Sequence, residues 1–176
     1  MKERTEILIS GFGGQGVVRL GQIFGLAGVK QNYRVSMLKS HGTEQRGGYV
    51  RAQIVVSSKP IDSPIVEEPD YFCALSSAAY NRFIDMVKFG AVFYDPSTVL
   101  IDSEHKEGIT YYAVAAKDTA VEKLGRPIYA NTVMLGSMAK IIDVFNKETL
   151  LSAMLYIMPR FKEENKQAFD IGYKLV

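Results

Sequence analysis

The chain is predicted to be an α/β protein, a Rossmann-like three-layer sandwich whose mainly parallel sheet carries helices on both faces. Three observations lead there. An apolar run at Ile7, Leu8 and Ile9 passes through the glycine-rich stretch Ser10-Gly11-Phe12-Gly13-Gly14-Gln15-Gly16 into a segment of helical periodicity. Short apolar or alternating segments then recur between helical patterns along the rest of the chain. A length of 176 residues without internal repeats or linkers suits one domain, 1–176, with a single core.

The first strand runs into the turn, where four glycines in six positions permit a sharp bend. They leave backbone N–H groups uncovered at the positive end of the following helix, a place for an anion. In that helix Leu20, Ile23, Phe24, Ala27 and Gln31 repeat at helical spacing, Gly25 and Gly28 allow close packing on a sheet, and the end falls near Gln31-Asn32. A strand over 33–38 completes a βαβ unit, expected to cross over right-handed. The polar stretch 39–48 follows, dense in glycine and chargeable groups. In a doubly wound sheet such loops converge at the carboxyl ends of the strands, so Lys39, His41, Glu44 and Arg46 are expected around a site shared with 11–16.

Residues 49–57 alternate, with Val50, Ala52, Ile54 and Val56 on one face and Tyr49, Arg51, Gln53 and Val55 on the other, which predicts a strand with one wetter side. Turns at Lys59-Pro60 and Ser63-Pro64 and the acidic Glu67, Glu68 and Asp70 lead to a buried strand over 71–75. Ser76-Ser77 can cap a helix over 78–88 that Gly90 ends, and a strand over 91–94 closes at Asp95-Pro96-Ser97. Residues 99–108 read as a charged surface connection, 109–114 as a strand and 117–124 as a helix stopped by Gly125. A last short strand is expected over 128–130, with Asn131 or Thr132 capping the next helix. That helix carries the apolar stripe Met134, Met138, Ile141, Ile142 and Phe145, and Gly136 with Ser137 allows another backbone to come close. An apolar helix over 148–158 ends before Pro159, and Phe161, Asn165, Ala168, Phe169, Gly172, Tyr173 and Val176 trace one face of a terminal helix.

Gly11, Gly13 and Gly16 satisfy G-x-G-x-x-G, but the acidic residue about 20 positions on that would hold a ribose is missing, the first acid after the turn being Glu44. Gly11 and Gly16 also have the outer spacing of a P-loop, yet Val17-Val18 stand where Lys-Ser/Thr should, which argues against nucleotide hydrolysis. A turn of this kind also serves simply as a tight route from strand to helix. The formal charge of +2, with no block of like charge, argues against a general nucleic-acid binder. No signal-peptide core or membrane-length apolar run is present, and a cytoplasmic location is expected. Cys73 is the sole cysteine, so the chain has no internal disulfide and cannot supply the thiolates of an iron–sulfur cluster; in its apolar run it reads as core. His105, flanked by Glu104 and Lys106, reads as a solvated face, and no metal site is expected.

Gly11-x-Gly-Gly-Gln-Gly-Val17, followed by Gly42-x-Glu-x-Arg-Gly-Gly48 and a strand leading to Ser63-Pro64, resembles the gamma-subunit family of 2-oxoacid:ferredoxin (acceptor) oxidoreductases. The similarity spans essentially the whole chain, including Ile61 to Pro64, Asp70, Asn131 and Leu135-Gly136. His41 departs from the tyrosine that many members carry there. The resemblance implies a complex that converts a 2-oxoacid (pyruvate, 2-oxoglutarate or another) and coenzyme A to acyl-CoA, CO₂ and electrons for ferredoxin or a flavodoxin. Thiamine diphosphate with Mg²⁺ would sit on alpha and beta subunits and iron–sulfur clusters on a ferredoxin-like delta subunit, this chain holding no cofactor by itself and showing no G-D-G…N-N motif.

On that resemblance no residue here is expected to be catalytic, and the chain alone is expected to be inactive. Gly11, Gly13, Gly14, Gln15 and Gly16 would bring N–H groups and a hydrogen bond to a phosphate of coenzyme A, with Lys39 and Arg46 adding charge and Ser40 a further hydrogen bond. His41, Gly42, Glu44, Gly47, Gly48 and Asn131 would shape the loops or dock partner subunits, and the two loops could equally serve docking alone. Isolated, the chain is expected to expose apolar surface and to form a homodimer. Two other readings remain: a free-standing NADP-binding oxidoreductase with Lys39 meeting the extra phosphate, or a nucleotide-binding regulatory subunit.

Overall fold

The computed structural model describes residues 2–41, 49–101 and 105–176. The chain order is β1 (Arg4–Phe12), α1 (Val17–Lys30), β2 (Arg34–His41), β3 (Tyr49–Ser57), β4 (Tyr71–Ala74), α2 (Ser77–Phe83), β5 (Gly90–Tyr94), β6 (Ile109–Ala113), α3 (Ala116–Leu124), α4 (Ala130–Ile141), α5 (Lys147–Ile157) and α6 (Lys162–Tyr173). One six-stranded sheet has the order β2-β3-β1-β4-β5-β6. The β1–β4, β4–β5 and β5–β6 pairs are parallel, whereas β3 is antiparallel to both β1 and β2. Five strands therefore point one way and β3 alone runs against them. The expected α/β sandwich with a mainly parallel sheet is found.

Pleating sends successive side chains to opposite faces. Ile7, Ile9, Ala52, Ile54, Val56, Cys73, Ala91 and Phe93 join the larger core beneath α1, α3, α4, α5 and α6. Leu8, Val55, Phe72, Ala74 and Val92 face a smaller core closed by Tyr80 and Phe83 of α2, the 3₁₀ turn Ile84–Met86, and Val66 and Val99 from coil. The coil before β4 is tied to β1. The Arg4 guanidinium donates to the Ser63 and Ile65 carbonyls, the Glu6 carboxylate accepts from the N–H groups of Glu67 and Glu68, and the Asp70 carboxylate accepts from Glu6 N–H.

Four local expectations are corrected. β3 lies between β1 and β2, so the first βαβ unit is split and its strands are not neighbours. The burial of the two strands explains the order: six consecutive residues of β3, 52–57, are buried, which requires cover on both sides, whereas residues 34–40 of β2 are half-buried or exposed and suit an edge. The helix expected over 78–88 is α-helical only to Phe83, and Gly90, with φ 124°, opens β5 against the Asp70 backbone rather than ending a helix. The strand expected over 128–130 is instead the 3₁₀ turn Pro127–Tyr129, whose proline sets φ and removes a donor, leading directly into α4. Asn131 and Thr132 consequently lie inside the first turn of α4, which has no side-chain cap.

Candidate functional site

The site begins where β1 stops. At Gly11 a Cβ would stand 2.5 Å from Gln15 Oε1 and 2.8 Å from Leu75 Cβ, so only glycine admits both neighbours. Gln15 folds back across it: Phe12 N–H donates to Gln15 Oε1 at 2.6 Å, and Gln15 Nε2 donates to the Leu75 carbonyl at 2.7 Å. The amide expected to bond a ligand thus braces the turn against the end of β4. Gly14 (φ 88°) and Gly16 (φ 79°) occupy the left-handed region that glycine tolerates, while Gly13 has open space on its Cβ side. Gly16 starts α1 without a side-chain cap or an acidic residue in the first turn, leaving the helix's first N–H groups without intrahelical partners. Asn131 covers Gly16 from α4, its Nδ2 just 2.2 Å from where a Cβ would be.

This turn opens on a cleft of about 1070 Å³. Strands 2, 3 and 1 lie on one side of the sheet and 4, 5 and 6 on the other, so the carboxyl ends of β1 and β4 form a topological switch point, the usual ligand crevice of such sheets. Arg19, Lys117 and Arg160 bring positive charge to the cleft wall. The one carboxylate there among the described residues, Asp95, is buried and accepts from the N–H groups of Ser97 (2.8 Å) and Lys117 (2.7 Å), fixing the start of α3. The mouth is apolar, with Phe12, Ile128 and Phe161 exposed.

Of the residues proposed from sequence, Gly13, Gly14, Gln15, Gly16 and Asn131 line this cleft, and Gly11 lies beneath Gln15. Lys39 and Ser40 do not. β3 separates their strand from β1 by about 10 Å. Lys39 shares the pleat phase of Val35 and Met37, which pack on α1, and is exposed. Ser40, of the opposite phase, accepts from Arg51 Nε at 3.3 Å, and the Arg51 guanidinium lies over the Phe83 ring on the α2 side. His41 ends β2 opposite Val50, while Gly42, Glu44, Arg46, Gly47 and Gly48 lie outside the described residues. Arg19, Lys117, Arg160 and Asp95 escaped the sequence reading. Only Arg19, three positions after Gly16, had a local signal; the others reach the cleft through the tertiary fold.

Cys73 is fully buried, and burial pushes its thiol well above the usual range. Among the described residues no three His, Cys, Asp or Glu side chains group as a metal site. His105 stacks on Tyr111, with ring centroids 3.9 Å apart. No helix of the described residues is long and apolar enough to cross a membrane.

Residues 6–175 match the family described as pyruvate ferredoxin/flavodoxin oxidoreductase. The chain is 37% identical to a 2-oxoglutarate synthase subunit KorC of Methanocaldococcus jannaschii, over 99% of this chain and 95% of that one. A keto/oxoacid ferredoxin oxidoreductase gamma subunit from Geobacter sulfurreducens superposes with a TM-score of 0.83 at 29% identity, covering 98% of this chain and 96% of that one. The 2-oxoglutarate:ferredoxin oxidoreductase from Magnetococcus marinus, solved with 2-oxoglutarate, coenzyme A and succinyl-CoA bound, gives a TM-score of 0.87 at 27% identity, covering 99% of this chain and 31% of that longer one. These matches favour a subunit of an oxidoreductase complex over a free-standing NADP-binding enzyme. The chain belongs to the pyruvate ferredoxin/flavodoxin oxidoreductase family, as the gamma subunit of a 2-oxoacid:ferredoxin oxidoreductase complex.

Proposed function

We propose that this subunit forms one wall of the coenzyme A approach in a complex that converts a 2-oxoacid and coenzyme A to acyl-CoA and CO₂, passing two electrons to ferredoxin or a flavodoxin. The observation that carries this is the cleft at the switch point, where the open glycine turn and the α1 N-terminus meet Arg19, Lys117 and Arg160. Uncapped helix N–H groups and guanidinium forks suit a phosphate or pyrophosphate, and Asp95 offers little competition because its oxygens are engaged. In this reading the chain binds and orients the thiol substrate. Thiamine diphosphate with Mg²⁺ would be held by alpha and beta subunits and would supply the decarboxylation chemistry, and clusters on a ferredoxin-like delta subunit would carry the electrons. Alone, the gamma chain is inactive. Its resemblance to a 2-oxoglutarate synthase subunit makes 2-oxoglutarate the first substrate to assay.

The test is anaerobic copurification of the tagged chain from its host, followed by CoA-dependent, 2-oxoacid-driven reduction of a low-potential dye. Arg19→Ala and Lys117→Ala should each raise the KM for coenzyme A about ten-fold, equivalent to about 1.4 kcal/mol of lost phosphate contact, with kcat nearly unchanged. Lys39→Ala should do less, since Lys39 is outside the cleft wall. The exposed Ile128 and Phe161 at the mouth favour a second reading, in which the cleft packs on a partner subunit. That reading is supported if the Arg19 and Lys117 variants recover less of the partner subunits while the complex that still forms keeps the wild-type KM for coenzyme A.

A further inference from the structure

Phe161 has φ 55° and ψ 49°, a left-handed conformation that is strained for a bulky residue and free for glycine. Asn32 is the other non-glycine residue with positive φ among those described, and asparagine tolerates that region. A strained backbone persists only where its surroundings hold it. Here the holder is Asn165, which is 3% exposed. Its Nδ2 donates to the carbonyls of both Arg160 and Phe161 at 3.0 Å, its backbone N–H donates to the Phe161 carbonyl at 2.9 Å, and its Oδ1 accepts from Thr132 Oγ1 at 3.0 Å. The polar links run from Thr132 of α4 through Asn165 to the strap 159–161, and Thr132 follows Asn131, which packs on Gly16 of the glycine turn.

The strained conformation holds an aromatic ring at the cleft mouth. Phe161 is 53% exposed, with the Arg126 guanidinium 5.8 Å from its centroid, and both Arg160 and Phe161 line the cleft. An exposed ring backed by a guanidinium is a stacking platform for a nucleobase. Burying it in the core would have required no left-handed residue at the surface. Resting on the coenzyme A reading above, we propose that the Asn165-held strap is an adenine-nucleotide subsite. Phe161 stacks the adenine, Arg160 meets an adjoining phosphate, and Asn165 is the positioning residue that keeps both in place.

The experiment uses the purified complex and measures coenzyme A binding by calorimetry, KM and kcat with coenzyme A and with 4′-phosphopantetheine, which lacks the adenine nucleotide, and thermal midpoint. Phe161→Gly should weaken coenzyme A binding and raise its KM about ten-fold, leaving kcat and the parameters for 4′-phosphopantetheine unchanged. Its thermal midpoint should hold or rise, because glycine adopts φ 55° without strain. Phe161→Trp should stay within about two-fold of wild type, a flat ring being retained. Asn165→Asp, which cannot donate to the two carbonyls, should reproduce the selective loss for coenzyme A. Equal losses with both thiols, unchanged coenzyme A binding in Phe161→Gly, or release of partner subunits by that variant would each overturn the proposal. If Arg19→Ala and Lys117→Ala weaken coenzyme A binding while Phe161→Gly does not, the subsite fails alone; if none of the three does, the coenzyme A reading fails with it.

Discussion

Gln15 ties the turn between β1 and α1 to the end of β4, a part of the chain distant in sequence. Its amide oxygen takes the Phe12 N–H and its amide nitrogen gives to the Leu75 carbonyl, a residue 60 positions away. This reciprocal use requires an amide. In Gln15→Glu the carboxylate still accepts from Phe12 but faces the Leu75 carbonyl with a lone pair, which should cost about 2 kcal/mol at pH 7 in denaturant unfolding. The sign with pH follows from the donor. Only the protonated form of the introduced carboxyl can give to Leu75, so the folded state raises its pKa, and the deficit should shrink as pH falls from that raised value toward the unfolded value of about 4.3. A deficit that grows on acidification would refute the assigned bond. The turn's glycines were legible because backbone geometry is written in residue type. The brace was not, because its acceptor is a backbone carbonyl, which any residue at position 75 would supply.

Helices α4 and α6 meet backbone to backbone. A Cβ on Gly136 would lie 2.1 Å from the Phe169 carbonyl oxygen, and one on Gly172 would lie 1.9 Å from that of Val133. Ser137 Oγ donates to the Gly172 carbonyl at 2.8 Å across the same crossing. No rotamer change can relieve such contacts, so the helices must part. Gly136→Ala and Gly172→Ala should each destabilise by about 3 kcal/mol, at the upper end of overpacking. The double variant should cost clearly less than their sum, because one separation serves both methyl groups. Full additivity in chemical denaturation would mean that the two glycines serve unrelated contacts. Gly136 and Ser137 could be read in advance as a close-approach patch, since small residues leave a gap on a helix face. The nearby 128–130 segment could not: Ile128-Tyr129-Ala130 has strand-like residues, but Pro127 and the sheet already completed by β6 turn it into a 3₁₀ entry to α4.

Across the whole molecule, the insertion of β3 between β1 and β2 decides which loops share the cleft. Local patterning identified the strands but not their neighbours, because pairing order is set by which edges are buried over long range. The alternation of β3 suggested one wetter face, yet Gln53 and Val55 on that face are buried as well; nothing local said that the strand would separate Lys39 and Ser40 from the glycine turn. The same order places β1 at the switch point, where Ile7, Leu8 and Ile9 are fully buried between β3 and β4. β2 and β6 are the edges, and Ile109–Ala113 carries only half-buried and exposed residues. Native-state hydrogen exchange on the uncomplexed chain should therefore grade outward from the centre. The amides of Ile7, Leu8 and Ile9 should exchange slowest, by global unfolding. Those of β6, and the β2 amides that point away from β3, should exchange faster by at least about 100-fold through local opening, a gap of about 2.7 kcal/mol. Uniform protection across all six strands would contradict this grading and mean that the sheet edges open only with the core.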